Sequence, residues 1–171
     1  MKYRFEHAVP CDRETLMRTM FEKGVIEILK PRMSTVQEAE TLSWNENGHR
    51  VTRRVRYLPV PKIHSVGPKK VEPRWMEWVE ESELDLGRGT ATYANVPTTH
   101  GVAELLKNRG EIEFVAAGPG RTRRVLSGEL KVNVFLLGAV AERVIHSYAK
   151  EIVDQEAAAL ARLIQERNAK A

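Results

Sequence analysis

The stretch FLLGAVAERVIHSYAKEIVDQEAAALARLIQER, Phe135–Arg167, decides the fold. Leu137, Val140, Val144, Tyr148, Ile152, Ala159 and Leu163 recur at helical steps, and Ala141, Ile145, Leu160 and Ile164 widen the stripe. Glu142, Arg143, Lys150, Glu151, Asp154, Arg162 and Glu166 fill most of the other side. This pattern predicts an amphipathic helix, and neither Gly nor Pro interrupts it after Gly138. At about 1.5 Å per residue, some thirty residues span roughly 45 Å, longer than most globular helices. Such a helix needs a broad apolar surface to lie on.

The segments before it supply that surface. Glu111–Ala117 and Arg121–Val134 flank Gly118-Pro119-Gly120, and Val36–Trp44 and His49–Leu58 flank Asn47-Gly48, both hairpin signals. Arg74–Glu81 and Arg88–Val96 form another pair, joined through Asp85-Leu86-Gly87. At the start, Tyr3, Phe5 and His7 alternate with Lys2, Arg4 and Glu6 as one further strand. Asp12 then stands as N-cap of a helix carrying Leu16, Met17, Met20 and Phe21, with Gly24 as its stop. A second short helix, Val25–Lys30, is closed by Pro31. Pro59–Pro73 holds four prolines and three lysines and reads as a long loop, and Pro97–Asn108 as a loop ending in a short helix. The expected fold is α+β: about seven antiparallel strands, two short helices after the first strand and a long C-terminal helix, in one domain over 1–171.

Composition narrows the function. With 42% hydrophobic and 29% charged residues the 171-residue chain is an ordinary globular one. Its net charge of +4, from 27 basic against 23 acidic residues, is intermixed. Arg50, Arg53, Arg54, Arg56, Arg121, Arg123 and Arg124 mark two basic strand ends without exposed interleaved aromatics, so nucleic acid is not an expected partner. The single cysteine, Cys11, forbids an internal disulfide and favours a reducing compartment. The N-terminus lacks a signal-peptide core, and the longest apolar run, Val132–Val140, is too short to span a bilayer. A cytoplasmic protein is the expectation.

Two segments carry a family resemblance. Phe5-Glu6-His7-Ala8-Val9-Pro10-Cys11-Asp12-Arg13-Glu14 looks like the strand-to-helix entry of the START-like superfamily. Gly128-Glu129-Leu130-Lys131-Val132 with Leu136-Leu137-Gly138-Ala139-Val140-Ala141-Glu142-Arg143 looks like its last strand and closing helix. The chain resembles this superfamily (also called SRPBCC, or helix-grip) over nearly its whole length, most of all an uncharacterised bacterial branch, with a fainter similarity to PRELI-type lipid-transfer domains. The resemblance implies an apolar-ligand cavity between sheet and helix. It implies no reaction, since the superfamily is marked by architecture rather than by a catalytic motif.

The usual signatures of chemistry are absent. Gly87-Arg88-Gly89 and Gly118-Pro119-Gly120 read as turns, and His7, His49, His64, His100 and His146 are scattered, so no metal or other cofactor is expected. His7 near Cys11 reads as packing rather than thiol catalysis. With Asn47-Gly48 as a two-residue turn, Trp44 faces Val51, Leu42 faces Arg53, Glu40 faces Val55 and Glu38 faces Tyr57. With a three-residue turn at Gly118–Gly120, Phe114 faces Arg124 and Ile112 faces Leu126, and Gly128, Leu130, Val132 and Val134 continue inward. Charges on a concave face are costly unless paired. Either Arg53 pairs with Glu40 and Arg124 sits at the rim, or the arginines hold an anionic head group.

The favoured reading is non-enzymatic binding or transfer of a lipid-like or other hydrophobic small molecule. Val140, Val144, Tyr148 and Ile152 would form the helix wall; Trp78, Phe114, Leu126 and Leu130 would line the sheet, with Arg53 and Arg124 as polar anchors. Trp75 and Tyr93 are further aromatic candidates. The Pro59–Pro73 loop would gate entry, its Lys62, Lys69, Lys70, Ile63, Val66 and Val71 touching an anionic membrane transiently. The alternative is a cyclase or hydratase on a polyketide-like substrate, with Glu38, Glu40 and His7 as acid–base candidates. A third is an interaction domain with a filled interior.

Overall fold

The computed structural model describes residues 1–62, 64–66, 69–70, 72–133 and 138–170, with backbone alone at residues 65, 66 and 69. Val134 as an inward residue, Phe135–Leu137 as the helix start, and Ile63 and Val71 as loop aliphatics lie outside the described residues, as do the side chains of Val66 and Lys69.

Local chemistry sets most boundaries. β1 (Lys2–Val9) buries Phe5 and Val9. Asp12 caps α1 (Arg13–Met20), accepting from the Thr15 N–H at 2.9 Å, and Glu14 pairs with Arg18 one turn on at 2.8 Å. Gly24, at φ 77°, reverses the chain into α2 (Val25–Leu29), and Pro31 turns the next residues, Lys30–Arg32, into a single 3-10 turn. Next come β2 (Val36–Asn47), β3 (Arg50–Pro59), the two-residue ribbon β4 (Ser65–Val66) and β5 (Lys69–Lys70), β6 (Trp78–Asp85) and β7 (Thr90–Pro97). The strand expected from Arg74 starts four residues later, because Pro73 opens a 3-10 turn through Met76. A short α3 (Val102–Leu105) leads directly into β8 (Leu106–Ala116), which begins before the expected Glu111. β9 (Thr122–Val132) and α4 (Gly138–Asn168) complete the chain.

Seven strands form one antiparallel sheet in the order β1-β9-β8-β7-β6-β3-β2. The β8–β9 register is the one expected: Phe114 opposes Arg124 and Ile112 opposes Leu126. The β2–β3 register differs. Gly48 and His49 occupy the turn, so Asn47 opposes Arg50 and Trp44 opposes Arg53, and bulges at Gln37 and Leu42 shift the pairing twice more. Each bulge moves every later side chain to the opposite face. Glu40 therefore opposes Arg56, and Glu38 and Glu40 point outward, where both meet the Arg56 guanidinium, at 3.6 and 2.9 Å. They are not interior acid–base candidates. The bulges also break the exposed rim of β2, where Glu27 takes the Thr41 N–H at 2.6 Å.

α4 lies against the inner face and is tied along its length. Glu142 accepts from the Val132 N–H at 3.0 Å; further on, Asp154 meets His7 at 2.9 Å and Gln155 accepts from the Thr35 N–H at 3.1 Å. Arg32 reaches Glu166 at 2.8 Å, and Arg167 reaches Glu22 at 2.5 Å. Leu160, Leu163 and Ile164 join the core with Leu16, Met20, Val25 and Ile26 of α1 and α2. Across β8 and β9, Gly110 opposes Gly128. The bare backbone there receives the Tyr3 and Tyr93 hydroxyls, which meet at 2.6 Å, while Tyr3 donates to Asn108 at 2.5 Å. A Cβ on Gly128 would lie 2.5 Å from the Tyr3 hydroxyl and 2.6 Å from the Arg109 carbonyl oxygen. Gly128→Ala is expected to cost about 2–3 kcal/mol, a strong overpacking penalty. Urea unfolding checks this, and a loss below about 0.5 kcal/mol would show that the tyrosine cluster yields freely.

Candidate functional site

The strand register arranges the inner face in rows. The innermost apolar row is Val51, Leu84, Ala91, Ile112, Leu126 and Phe5, none more than 8% exposed. The next row runs Arg53, Ser82, Tyr93, Gly110, Gly128 and Tyr3. Beyond it comes Val55, Glu80, Asn95, Asn108 and Leu130, in which the three polar members are half-buried. Last come Tyr57, Trp78 and Pro97, beside Leu106 and Val132; Trp78, Leu106 and Val132 are half-buried. The side chains are therefore buried toward the α1–α2 end, where a small pocket of about 290 Å³ is lined by Phe21, Trp44, Val51, Leu84 and Leu86. They reach solvent more broadly at the other end.

α4 shows the same gradient. Leu160 and Ile164 are sealed, whereas Val144 and Val140 are 43% and 57% exposed. At about 100° per residue, Ala141, Ile145 and Ala149 continue the face of Ile152 and Leu163, and all three are half-buried. Val140 and Val144 fall on the flank toward Tyr148. The Tyr148 hydroxyl is placed to donate to the Thr35 carbonyl at 3.2 Å or to that of Val60. Lys62 lies over the Tyr148 ring at 5.3 Å and pairs with Glu151, so the start of the Pro59–Pro73 segment rests on α4.

Of the residues singled out from sequence, Trp78, Tyr148, Val140 and Val144 stand at the open end, while Leu130 shares the Glu80 row but is fully buried. Phe114, Leu126, Arg124 and Ile152 stand in the sealed part. Arg53 and Arg124 share no partner by hydrogen bond and stand on strands with three others between them, although Glu156 is near enough to act on both. Each guanidinium already has a carboxylate. Arg53, stacked 4.4 Å over Phe21, donates to the Met20 carbonyl at 2.6 Å, to Ser82 at 3.2 Å and to Glu80 at 3.0 Å. Its partner is Glu80 rather than Glu40. Arg124 lies in the interior rather than at the rim, is wholly buried, and donates to Glu156 at 2.7 Å. Among the described residues its Nε and Nη1 have no partner.

Glu80, Glu156, Ser82, Asn95 and Tyr57 were missed. Glu156 had a signal: it stands four residues after Ile152 and seven before Leu163, a carboxylate on the apolar stripe. Glu80 had none, because Val79-Glu80-Glu81-Ser82-Glu83 alternates ambiguously.

The electrostatics follow burial. Desolvation, then the Glu80 and Glu156 carboxylates, push the Tyr57 hydroxyl well above an ordinary phenol. Burial works against the Arg53 charge, yet Glu80, Tyr57 and Glu156 hold the guanidinium more firmly protonated than usual. Burial, then Asp12, pushes the Cys11 thiol up to about 11, the reverse of an activated nucleophile, and His7 is bound to Asp154 instead. Among the described residues no three His, Cys, Asp or Glu side chains converge as a metal site, and no helix is long and apolar enough to cross a membrane. A groove of about 830 Å³ crosses the outer face behind Gly110 and Gly128, with Lys2 and Arg109 mixed among Glu81, Glu111 and Glu129. Through the gap left by the two glycines, the inner-row Tyr3 and Tyr93 line it as well.

Two expectations follow from these charges. Glu156→Leu strands the Arg124 charge and is expected to cost about 3–5 kcal/mol, whereas Arg124→Leu/Glu156→Leu recovers most of it. Chemical denaturation of both variants measures the difference. All four tyrosines are raised, chiefly by burial, Tyr148 to about 12. Absorbance titration of the folded protein should therefore show less phenolate near pH 10, the ordinary tyrosine range, than the unfolded chain shows. Because the folded values exceed the unfolded ones, this contribution to stability is complete below about pH 10 and is lost as pH rises through the folded values.

Comparison with known proteins supports the architecture. The structure of TTHA0849 from Thermus thermophilus is similar at 21% identity, covering 98% of this chain and 99% of that one, with a TM-score of 0.68. The Zhui aromatase/cyclase from Streptomyces sp. R1128 follows at 15% identity, covering 98% and 94%, with a TM-score of 0.65. Norcoclaurine synthase from Thalictrum flavum, in complex with dopamine and hydroxybenzaldehyde, is 16% identical over 97% and 87%, with a TM-score of 0.68. None of the curated proteins matches the chain. The faint similarity to PRELI-type domains finds no support here. Residues 5–164 match the family described as "Protein of unknown function (DUF2505)". The chain therefore belongs to the DUF2505 family and has the helix-grip fold of the START-like superfamily.

Proposed function

We propose that this protein binds and carries a lipid-like or other hydrophobic small molecule, without chemistry, at the open end between the sheet and the first half of α4. One observation carries this reading: the inner-face side chains of Glu80, Asn95, Asn108, Trp78 and Leu106 keep solvent contact beneath the half-buried Ala141, Ile145 and Ala149, while the apolar core toward α1 and α2 is buried. A core that needed only stability would close there too. Trp78, stacked on Tyr57 at 5.2 Å, and Leu130 supply apolar wall. The structural relatives that hold or act on aromatic molecules are consistent with such a site. The Pro59–Pro73 segment is the proposed gate. Lys62 is held by Glu151 and Tyr148, so membrane contact forms no part of the proposal. Free Cys11 suits the cytoplasm as its setting.

A cyclase-type enzyme on a polyketide-like substrate is the second reading, favoured by Glu80, an inner-face carboxylate that is 19% exposed. Its engagement speaks for binding, since Arg53 and Ser82 already occupy one carboxylate oxygen as a fixed structural pair.

Native mass spectrometry with solvent extraction of the purified protein tests the first reading. A co-purifying apolar molecule, or thermal stabilisation by fatty acids, phospholipids or polyphenols, is expected. Ile145→Trp, which fills the open end, should weaken that binding about tenfold or more with little change in melting temperature. A bare mass together with no stabilisation by any of the three classes would overturn the proposal in favour of an interaction domain.

A further inference from the structure

The row Glu80, Asn95, Asn108 is a hydrogen-bonding surface between the Arg53–Ser82–Tyr93 row and the outer Tyr57–Trp78–Pro97 row. Glu80 Oε1 takes both local donors, Arg53 Nη2 at 3.0 Å and Ser82 Oγ at 3.1 Å. Among the described residues no donor meets Oε2, although the side chain keeps 19% of its surface exposed. Across the strand pair Asn95 opposes Glu80, and its buried Oδ1 also lacks a partner among the described residues. The next row outward presents the Tyr57–Trp78 stack, 5.2 Å between centroids and 16° from parallel. The buried charges already balance, Arg53 against Glu80 and Arg124 against Glu156. A ligand bringing its own net charge would have to shed its water without a counter-ion, which costs several kcal/mol. A carboxylate or phosphate would in addition face Glu80.

We infer that the ligand is an uncharged molecule with an aromatic or other flat apolar body and a hydroxyl that donates to Glu80 Oε2. This rests on the binding reading above and narrows it. The apolar body lies against Trp78, as stacking geometry favours. The hydroxyl reaches the one acceptor in the row that carries charge, where a hydrogen bond is about twice as strong as between neutral groups. Arg53 and Ser82 act as positioning residues: by holding Oε1 they leave Oε2 turned to the opening.

Four probes of one shape separate the possibilities by calorimetry at neutral pH: 2-naphthol, 2-methoxynaphthalene, 2-naphthoate and 2-naphthylmethylamine. 2-Naphthol is expected to bind about tenfold or more tighter than the methyl ether, the size of one charge-assisted hydrogen bond. Glu80→Gln, which replaces the free acceptor by an amide, should bring that ratio to near one while the methyl ether binds as before. If loss of the Arg53 partner unfolds this variant, Arg53→Met/Glu80→Met removes both charges and should give the same ratio. Equal binding of naphthol and its ether by the native protein, or a ratio unchanged in the variants, would overturn the hydroxyl site and leave the cavity standing. Tightest binding of the naphthoate or the amine would overturn the uncharged ligand. Failure of all four, together with no binding of the uncharged dye N-phenyl-1-naphthylamine, would overturn the cavity reading itself.

Discussion

Arg124 holds a full charge where no solvent reaches, and Glu156 is the reason it can. An isolated ion in that place would cost about 3–5 kcal/mol, a large share of a protein's margin of stability. The pair therefore requires three elements to agree: the β8–β9 register that turns Arg124 inward, the rotation of α4 that points Glu156 at it, and the position of α4 along the sheet. His7 with Asp154, on the neighbouring strand and two helix residues earlier, enforces the same setting. Apolar packing of Leu160, Leu163 and Ile164 supplies the larger energy but is indifferent to small slides. The ion pairs are directional, and they choose among such slides.

That setting decides where the molecule is open. With α4 pinned at Asp154, Glu156 and Glu166, its second half lies on α1, α2 and the strands, and its inward face, Leu160, Leu163 and Ile164, is closed to solvent. Its first half extends past the end of that core, held by Glu142 near Val132 and by Tyr148 on the Thr35–Val60 side. Between those supports lie Ala141, Ile145 and Ala149, small or aliphatic, opposite the half-exposed Glu80, Asn95 and Asn108. Stability is concentrated at one end and accessibility at the other, a division common in proteins that must admit a ligand.

Interior polarity is the second theme. Each buried arginine meets a carboxylate from an element remote in sequence, Glu80 for Arg53 and Glu156 for Arg124. Such pairs add little net stability but penalise every arrangement that separates them. Both carboxylates also act on Tyr57, so the two pairs share one electrostatic field across the sheet.

Local sequence determined the element order, the Asp12 cap, the β8–β9 hairpin and the long helix, because each rests on contacts between near neighbours or on a repeat of fixed period. The inward placement of Arg53 and Arg124 was legible for the same reason. Only the tertiary structure decided their partners, since Glu80 lies 27 residues from Arg53 and Glu156 lies 32 from Arg124, and periodicity carries no information across such separations. It alone also decided the fate of Glu38 and Glu40. Bulges at Gln37 and Leu42 extrude one residue each, and a strand with period two converts a single extrusion into a change of face. The open end belongs to the same class: whether thirty side chains close a gap depends on how far a helix extends beyond the surface that holds it, and that distance is set by the ion pairs.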